Sequence, residues 1–279
     1  MKIQQLSLFL ENKPGRLLEA CEAMSEAFME KYPDINVAVE YTGSGAGIES
    51  LIQKSIEIGN SSRELKAGEK EKGAVENVVA IDGIAVITDK ANTVTNLTTE
   101  QLAAVYTGEV RNWSELGGKD EAIVVIGREA GSGTRDGFES ITKTADKCVL
   151  AQELTSTGAV IAAVQSSTNA IGYASFASVE GQTGIKVLTV AGVSCTAENI
   201  VNGSYVIQRP FNLVTKSDGK LGGAAQAFFD YIPYAVLSAM TFPAILYSTD
   251  SVISAAVGFV IGSYIPLGMM PMWAQSVCD

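Results

Sequence analysis

Nine consecutive residues, Gly127-Arg128-Glu129-Ala130-Gly131-Ser132-Gly133-Thr134-Arg135, carry the types and spacing needed to grip an oxyanion. Glycines let backbone N–H groups come close to a ligand, and Ser132 and Thr134 add hydroxyl donors. Arg128 supplies a planar fork able to hold two oxygens at once. The run Ile123 to Ile126 before the loop reads as a buried strand. A helix starting near Arg135 would aim its positive dipole end at the same point.

Two further loops have the same grammar. Gly43-Ser44-Gly45-Ala46-Gly47-Ile48 follows an alternating strand (Val37, Val39, Tyr41) and leads into a helical stretch from Glu49 to Ile56. Gly59-Asn60-Ser61-Ser62-Arg63-Glu64 follows Ile56 and Ile58 and precedes a charged, helix-forming run. Loops that join strand ends to helix starts converge at one edge of a parallel α/β sheet, where ligands sit beyond the carboxyl ends of the strands.

Composition narrows the chemistry. At 279 residues the chain can bury a sizeable core, and a net charge of -11 speaks against nucleic acid. There are no histidines, which removes the commonest zinc ligand and the usual general base. Cys21, Cys148, Cys195 and Cys278 lie far apart, without metal-ligand spacing, and read as isolated thiols. No metal, no cofactor and no enzymatic activity is expected. Neutral donors and dipoles can hold an anion at short range even where the overall field repels it.

From about Ala27 to Asp230 the chain resembles the phosphate-binding protein of bacterial phosphate ABC transporters. The resemblance rests on Ala27 to Asp34, Gly43 to Ile48, Ser61-Ser62-Arg63-Glu64-Leu65-Lys66, Asp82-Gly83-Ile84-Ala85-Val86, Tyr106-Thr107-Gly108 with Asn112-Trp113, the Arg128 to Arg135 loop, and Asn169 to Tyr173. It implies an α/β, two-lobed, periplasmic-binding-protein-like (type II) fold with two hinge strands. It also implies phosphate in the interlobe cleft and release to an ABC transporter permease. The family's phosphate contacts carry over onto Ser44, Ser62, Arg128, Ser132, Gly133 and Thr134, with Ser61 and Asp82 as further candidates. Many members have an aspartate at the place of Ser62, which accepts the proton of hydrogenphosphate and excludes sulfate. A serine there donates to either ion, which leaves Asp82 as an alternative acceptor or as a hinge aspartate.

Both ends depart from the family pattern. Residues 1–24 resemble the strand, turn and helix that open an ACT domain, with Lys13-Pro14-Gly15 at the turn and Leu17, Cys21, Met24 and Phe28 on one helical face. This start replaces the family's own first donor loop. Residues from about 231 to 262 resemble part of a branched-chain amino-acid exporter membrane subunit. From Tyr231 to Trp273 the charged residue is Asp250, so the stretch reads either as membrane-associated or as a helical hairpin packed on a lobe. The expected division is a first lobe of 1–88 with 207–230, a second lobe of 89–206, and an apolar helical tail over 231–279.

Family resemblance implies a periplasmic or cell-surface location. Met1 to Leu10 shows no secretory signal, so the chain as written is expected in the cytoplasm or at a membrane. An alternative reading follows: a recombined or designed chain with impaired anion binding that behaves as a membrane-associated or interaction protein. The remaining sequence reads as scaffold. Thr98 three residues before Gln101 predicts a capping box, Trp113 a packing anchor, and Val86 to Asn92 with Gly203 to Asn212 the hinges. Arg209-Pro210-Phe211 reads as the start of a strand, with an anion-binding role for Arg209 as a minor alternative.

Overall fold

The computed structural model describes residues 4–10, 25–41, 43–217 and 221–231. Its frame is one mixed sheet running β2 (Ile35–Tyr41), β1 (Gln4–Leu10), β3 (Ile58–Ser61), β11 (Gln208–Lys216), β4 (Ala74–Asp89), β8 (Ala170–Ser175), β6 (Val124–Arg128) and β7 (Gln152–Leu154). A ninth strand, β9 (Ile185–Val187), also pairs with β4, and β5 (Asn96–Leu97) with β10 (Thr189–Val190) makes a separate short ladder. β1 is parallel to β2 and β3, and β6 is parallel to β7 and β8. Between these parallel sets run β4 and β11, antiparallel to each other.

β4 divides the molecule by changing partners. Residues 74–83 pair with β11, and from Ile84 onward the strand pairs with β8 and β9. Burial changes at the same place: Val78 and Ile81 are exposed, whereas Ile84 to Thr88 are fully buried. A strand buried on both faces reads as a continuous apolar run, and Ile84-Ala85-Val86-Ile87 is one.

Each half has its own packing. In the half containing β11, successive residues serve opposite faces: Leu213 packs with Phe28, Val37, Ile58 and Phe228, while Val214 packs with Ile48, Leu51, Ile56 and Leu65. The first of these clusters is covered by helices α1 (25–31) and α9 (223–231), whose Phe28 and Phe228 rings meet edge-on at 5.1 Å. The second lies under α2 (Ser44–Ile52) and near α3 (Ala67–Glu71). The other half has one larger core built from β4, β6 and β8 with helices α4 (Thr99–Tyr106), α5 (Gly133–Thr142), α6 (Thr157–Gln165), α7 (Phe176–Val179) and α8 (Ala197–Val201).

Local signals explain several boundaries. Thr98 Oγ1 accepts from Gln101 N–H and Gln101 Oε1 accepts from Thr98 N–H, the capping box expected at the start of α4. Trp113 is buried, and its ring N–H donates to the Asn169 carbonyl at 2.8 Å, so it anchors packing as expected. The helix expected from Glu49 starts instead at Ser44. Gly43 takes φ 88° at its N-cap, a left-handed turn that lets Ser44-Gly45-Ala46-Gly47 enter the helix at once. The apolar tail lies outside the described residues except for Tyr231, and of the ACT-like opening only the strand Gln4–Leu10 falls within them. Among the described residues, no helix is long and apolar enough to cross a membrane.

Candidate functional site

Three strand-to-helix loops meet where β4 and β11 pass between the halves. Ser44 is the first residue of α2, Ser62 follows β3, and Gly133 is the first residue of α5. Ser62 N–H donates to Ser44 Oγ at 3.1 Å, and the two hydroxyl oxygens are 3.2 Å apart. A Cβ on Gly133 would lie 2.2 Å from Ser62 Oγ and 2.4 Å from Ser44 Oγ. The start of α5 therefore touches both serines through a space only glycine leaves. Gly43 and Gly131 make a similar approach: a Cβ on Gly43 would stand 3.2 Å from the Gly131 carbonyl oxygen.

The consequence is electrostatic. Two helix N-termini, α2 from one half and α5 from the other, present their positive ends to one hydroxyl-lined point. Ser44, Ser62, Ser132 and Thr134 are all buried, so donors there act in a medium that screens poorly. Ser132 Oγ also caps α5, accepting from Arg135 N–H at 3.4 Å.

Other expected site residues have different surroundings. Arg128 ends β6 with its fork against its neighbour: Nε and Nη2 donate to the two carboxylate oxygens of Glu129 at 2.8 and 2.9 Å, and Nη1 donates to Thr157 Oγ1 at 3.0 Å. Its backbone N–H donates to the Tyr173 hydroxyl, whose ring stacks on Phe138. Arg135 packs behind, donating to the Arg128 carbonyl, Glu139 and Glu153. Ser61 turns into its own loop, where its hydroxyl donates to the Arg63 carbonyl at 2.8 Å. Asn212 donates to the same carbonyl.

Arg209 is the residue whose importance was hardest to read in the sequence. It is 4% exposed and joins the Ser62 loop to the first turn of α5. Nη1 donates to Thr134 Oγ1 at 2.8 Å and to the Ser62 carbonyl at 3.2 Å, while Nε and Nη2 donate to Asp82 Oδ2 at 3.2 and 3.1 Å. Asp82 is 5% exposed. Burial pushes its carboxyl above the usual range, against the downward pull of Arg209. The available signal was a pair of opposite charges, Asp82 and Arg209, each set next to an apolar strand run.

A second bridge joins the halves nearer solvent. Asp136, in the first turn of α5, has Oδ2 2.8 Å from Arg63 Nε and 3.1 Å from Lys66 Nζ. Arg63 is held from its other side by Glu69 at 2.8 Å. Among the described residues, no group of His, Cys, Asp and Glu could hold a metal ion. Buried hydroxyls, two helix starts and paired arginines can bind an oxyanion; they offer no nucleophile with a base beside it.

The sequence and fold are shared with known proteins. Residues 15–233 match the family model described as the PBP superfamily domain. The phosphate-binding protein PstS of Bacillus subtilis is 33% identical over 214 residues, covering 75% of this chain and 70% of its own length. PstS of Borreliella burgdorferi is 33% identical over 201 residues, covering 67% and 72%. A putative phosphate ABC transporter substrate-binding protein from Clostridium perfringens, solved with bound phosphate, superposes with a TM-score of 0.74 at 40% identity over 82% of this chain and 93% of its own. An ABC-type phosphate transport receptor from Vibrio cholerae gives 0.71 at 29% identity over 82% and 93%. The chain belongs to the phosphate-binding protein PstS family, within the PBP superfamily.

Proposed function

We propose that this chain binds inorganic phosphate between its two halves and serves as the solute-binding protein of a phosphate ABC transporter. It is a receptor, with no catalytic step. The observation that carries the reading is the meeting of Ser44 and Ser62 with Gly133, under the N-termini of α2 and α5. The bound phosphate of the Clostridium perfringens neighbour supports the same ligand. In this proposal Ser44, Ser62, Ser132, Gly133 and Thr134 donate to the phosphate oxygens. Arg128, pinned by Glu129 and Thr157, supplies positive charge, and Ser61 and Asp82 support the site from behind.

The change of partners along β4 supports a two-lobed division of this chain with the crossing at Gly83–Ile84, a few residues before the expected boundary at 88. The lobes close on phosphate and the loaded form meets a permease at the outer face of a membrane, in the periplasm or at the cell surface.

Isothermal titration with inorganic phosphate tests the reading. A saturable single-site isotherm is expected. Ser44→Ala should cost about ten-fold in affinity, and Arg128→Ala more, since hydrogen bonds to charged groups contribute about 1.5–3 kcal/mol. No phosphate heat with folded protein, or equal binding by Arg128→Ala, would refute it.

A further inference from the structure

We infer that Arg209, held by Asp82, is the positioning residue that sets Ser62 and Thr134 to donate to the anion. This rests on the phosphate reading above and adds the device that aligns donors from the two halves. One guanidinium nitrogen, Nη1, has a proton for each of two partners: the carbonyl of Ser62, which follows β3, and the hydroxyl oxygen of Thr134, on α5. The 2.8 Å contact makes Thr134 Oγ1 an acceptor toward Arg209, so that hydroxyl's own proton is directed away from the guanidinium. The 3.2 Å contact holds the Ser62 carbonyl, in the peptide that follows the residue, while the N–H on the other side of its Cα donates to Ser44 Oγ. Ser62 and Thr134 are thus tied to one side chain.

Asp82 completes the device. Its Oδ2 accepts from Nε and Nη2, so the guanidinium plane is fixed by an edge that faces neither Ser62 nor Thr134. The two residues face each other across the β4–β11 ladder, Arg209 opposite Asp82, two residues before β4 changes partners. The pair sits on the strands that pass between the halves, where it reaches both sets of donors at once. The Phe211 ring, 5.1 Å from the guanidinium carbon, closes the remaining side.

Under this inference Asp82 acts through Arg209 and not by touching the anion, which gives it a distinctive signature. Breaking one member of a buried ion pair can unfold a protein, so the decisive variant removes both charges together: Asp82→Asn with Arg209→Gln. Circular dichroism and thermal unfolding without ligand should show a folded chain. Phosphate affinity should fall at least ten-fold, sulfate affinity should fall by the same factor, and the ratio of the two should stay at its wild-type value. In a cycle with Thr134→Val, the loss caused by the valine should be much smaller in the Arg209→Lys background than in wild type, because lysine cannot serve Asp82, Ser62 and Thr134 together.

Wild-type affinity in the neutral pair, additive losses in the Thr134 cycle, or a shifted phosphate-to-sulfate ratio would each overturn the inference while leaving the phosphate reading intact. Failure of the neutral pair to fold would leave the Arg209→Lys cycle to decide. A wild-type chain that binds no phosphate would overturn both.

Discussion

Gly133 concentrates the design of the site in one missing methyl group. Its Cβ position falls within 2.2 and 2.4 Å of two hydroxyl oxygens, distances that no real Cβ tolerates. Gly133 is the first residue of α5, so little of the roughly 1 kcal/mol by which alanine favours a helix interior applies there, and with the clash Gly133→Ala should lower thermal stability. The same methyl must push α5 away from Ser44 and Ser62, and phosphate affinity should drop by at least about ten-fold, equivalent to about 1.4 kcal/mol. Titration calorimetry beside thermal unfolding separates the two effects; a variant that binds like wild type would show that the loops do not close this tightly on the ligand. The thiols behave oppositely, as bystanders. Burial raises Cys148 to about 11 and Cys195 to about 12, so both stay protonated at neutral pH and neither is a nucleophile.

At the scale of elements, α5 meets the opposite half along its first turn, with Thr134 Oγ1 accepting from Arg209. Its first residue meets the serines, and Asp136 one turn later meets Arg63 and Lys66. Asp136 also sits where a helix start favours negative charge, so Asp136→Asn should weaken the bridge with little change in helix geometry. Partly exposed ion pairs are worth up to about 1 kcal/mol, which predicts phosphate release faster by up to about five-fold. Stopped-flow displacement measures this, and an unchanged release rate would mean that the rim bridge is open in the loaded protein. Element boundaries were legible where side chains cap backbone. Thr98 with Gln101 announced α4, and Ser132 closes the loop that announced α5. The start of α2 was not legible, because Ser44-Gly45-Ala46-Gly47 looks like loop until Gly43 takes its left-handed turn.

For the whole molecule, a net charge of -11 opposes the approach of an anion. Raising ionic strength from 0.01 to 0.15 M shortens the Debye length from about 30 to about 8 Å. That screens the distant carboxylates more than the buried donors, and the phosphate association rate should rise with salt. Fluorescence-detected stopped flow across sodium chloride concentrations checks this; a rate that falls would mean that the local positive field of Arg128, Arg135 and Arg209 controls capture. The sequence by itself determined the three glycine- and serine-rich strand-to-helix loops, the α/β class and the absence of histidine chemistry, because glycine placement, hydroxyl spacing and strand periodicity act over a few residues. Only the tertiary structure decided that Asp82 faces Arg209 across 127 positions, that Gly133 closes on Ser44 and Ser62, and that Arg128 turns its fork to Glu129. Those pairings depend on which strands lie side by side and in what register, and the antiparallel match of β11 to β4 is set by the packing of both halves together.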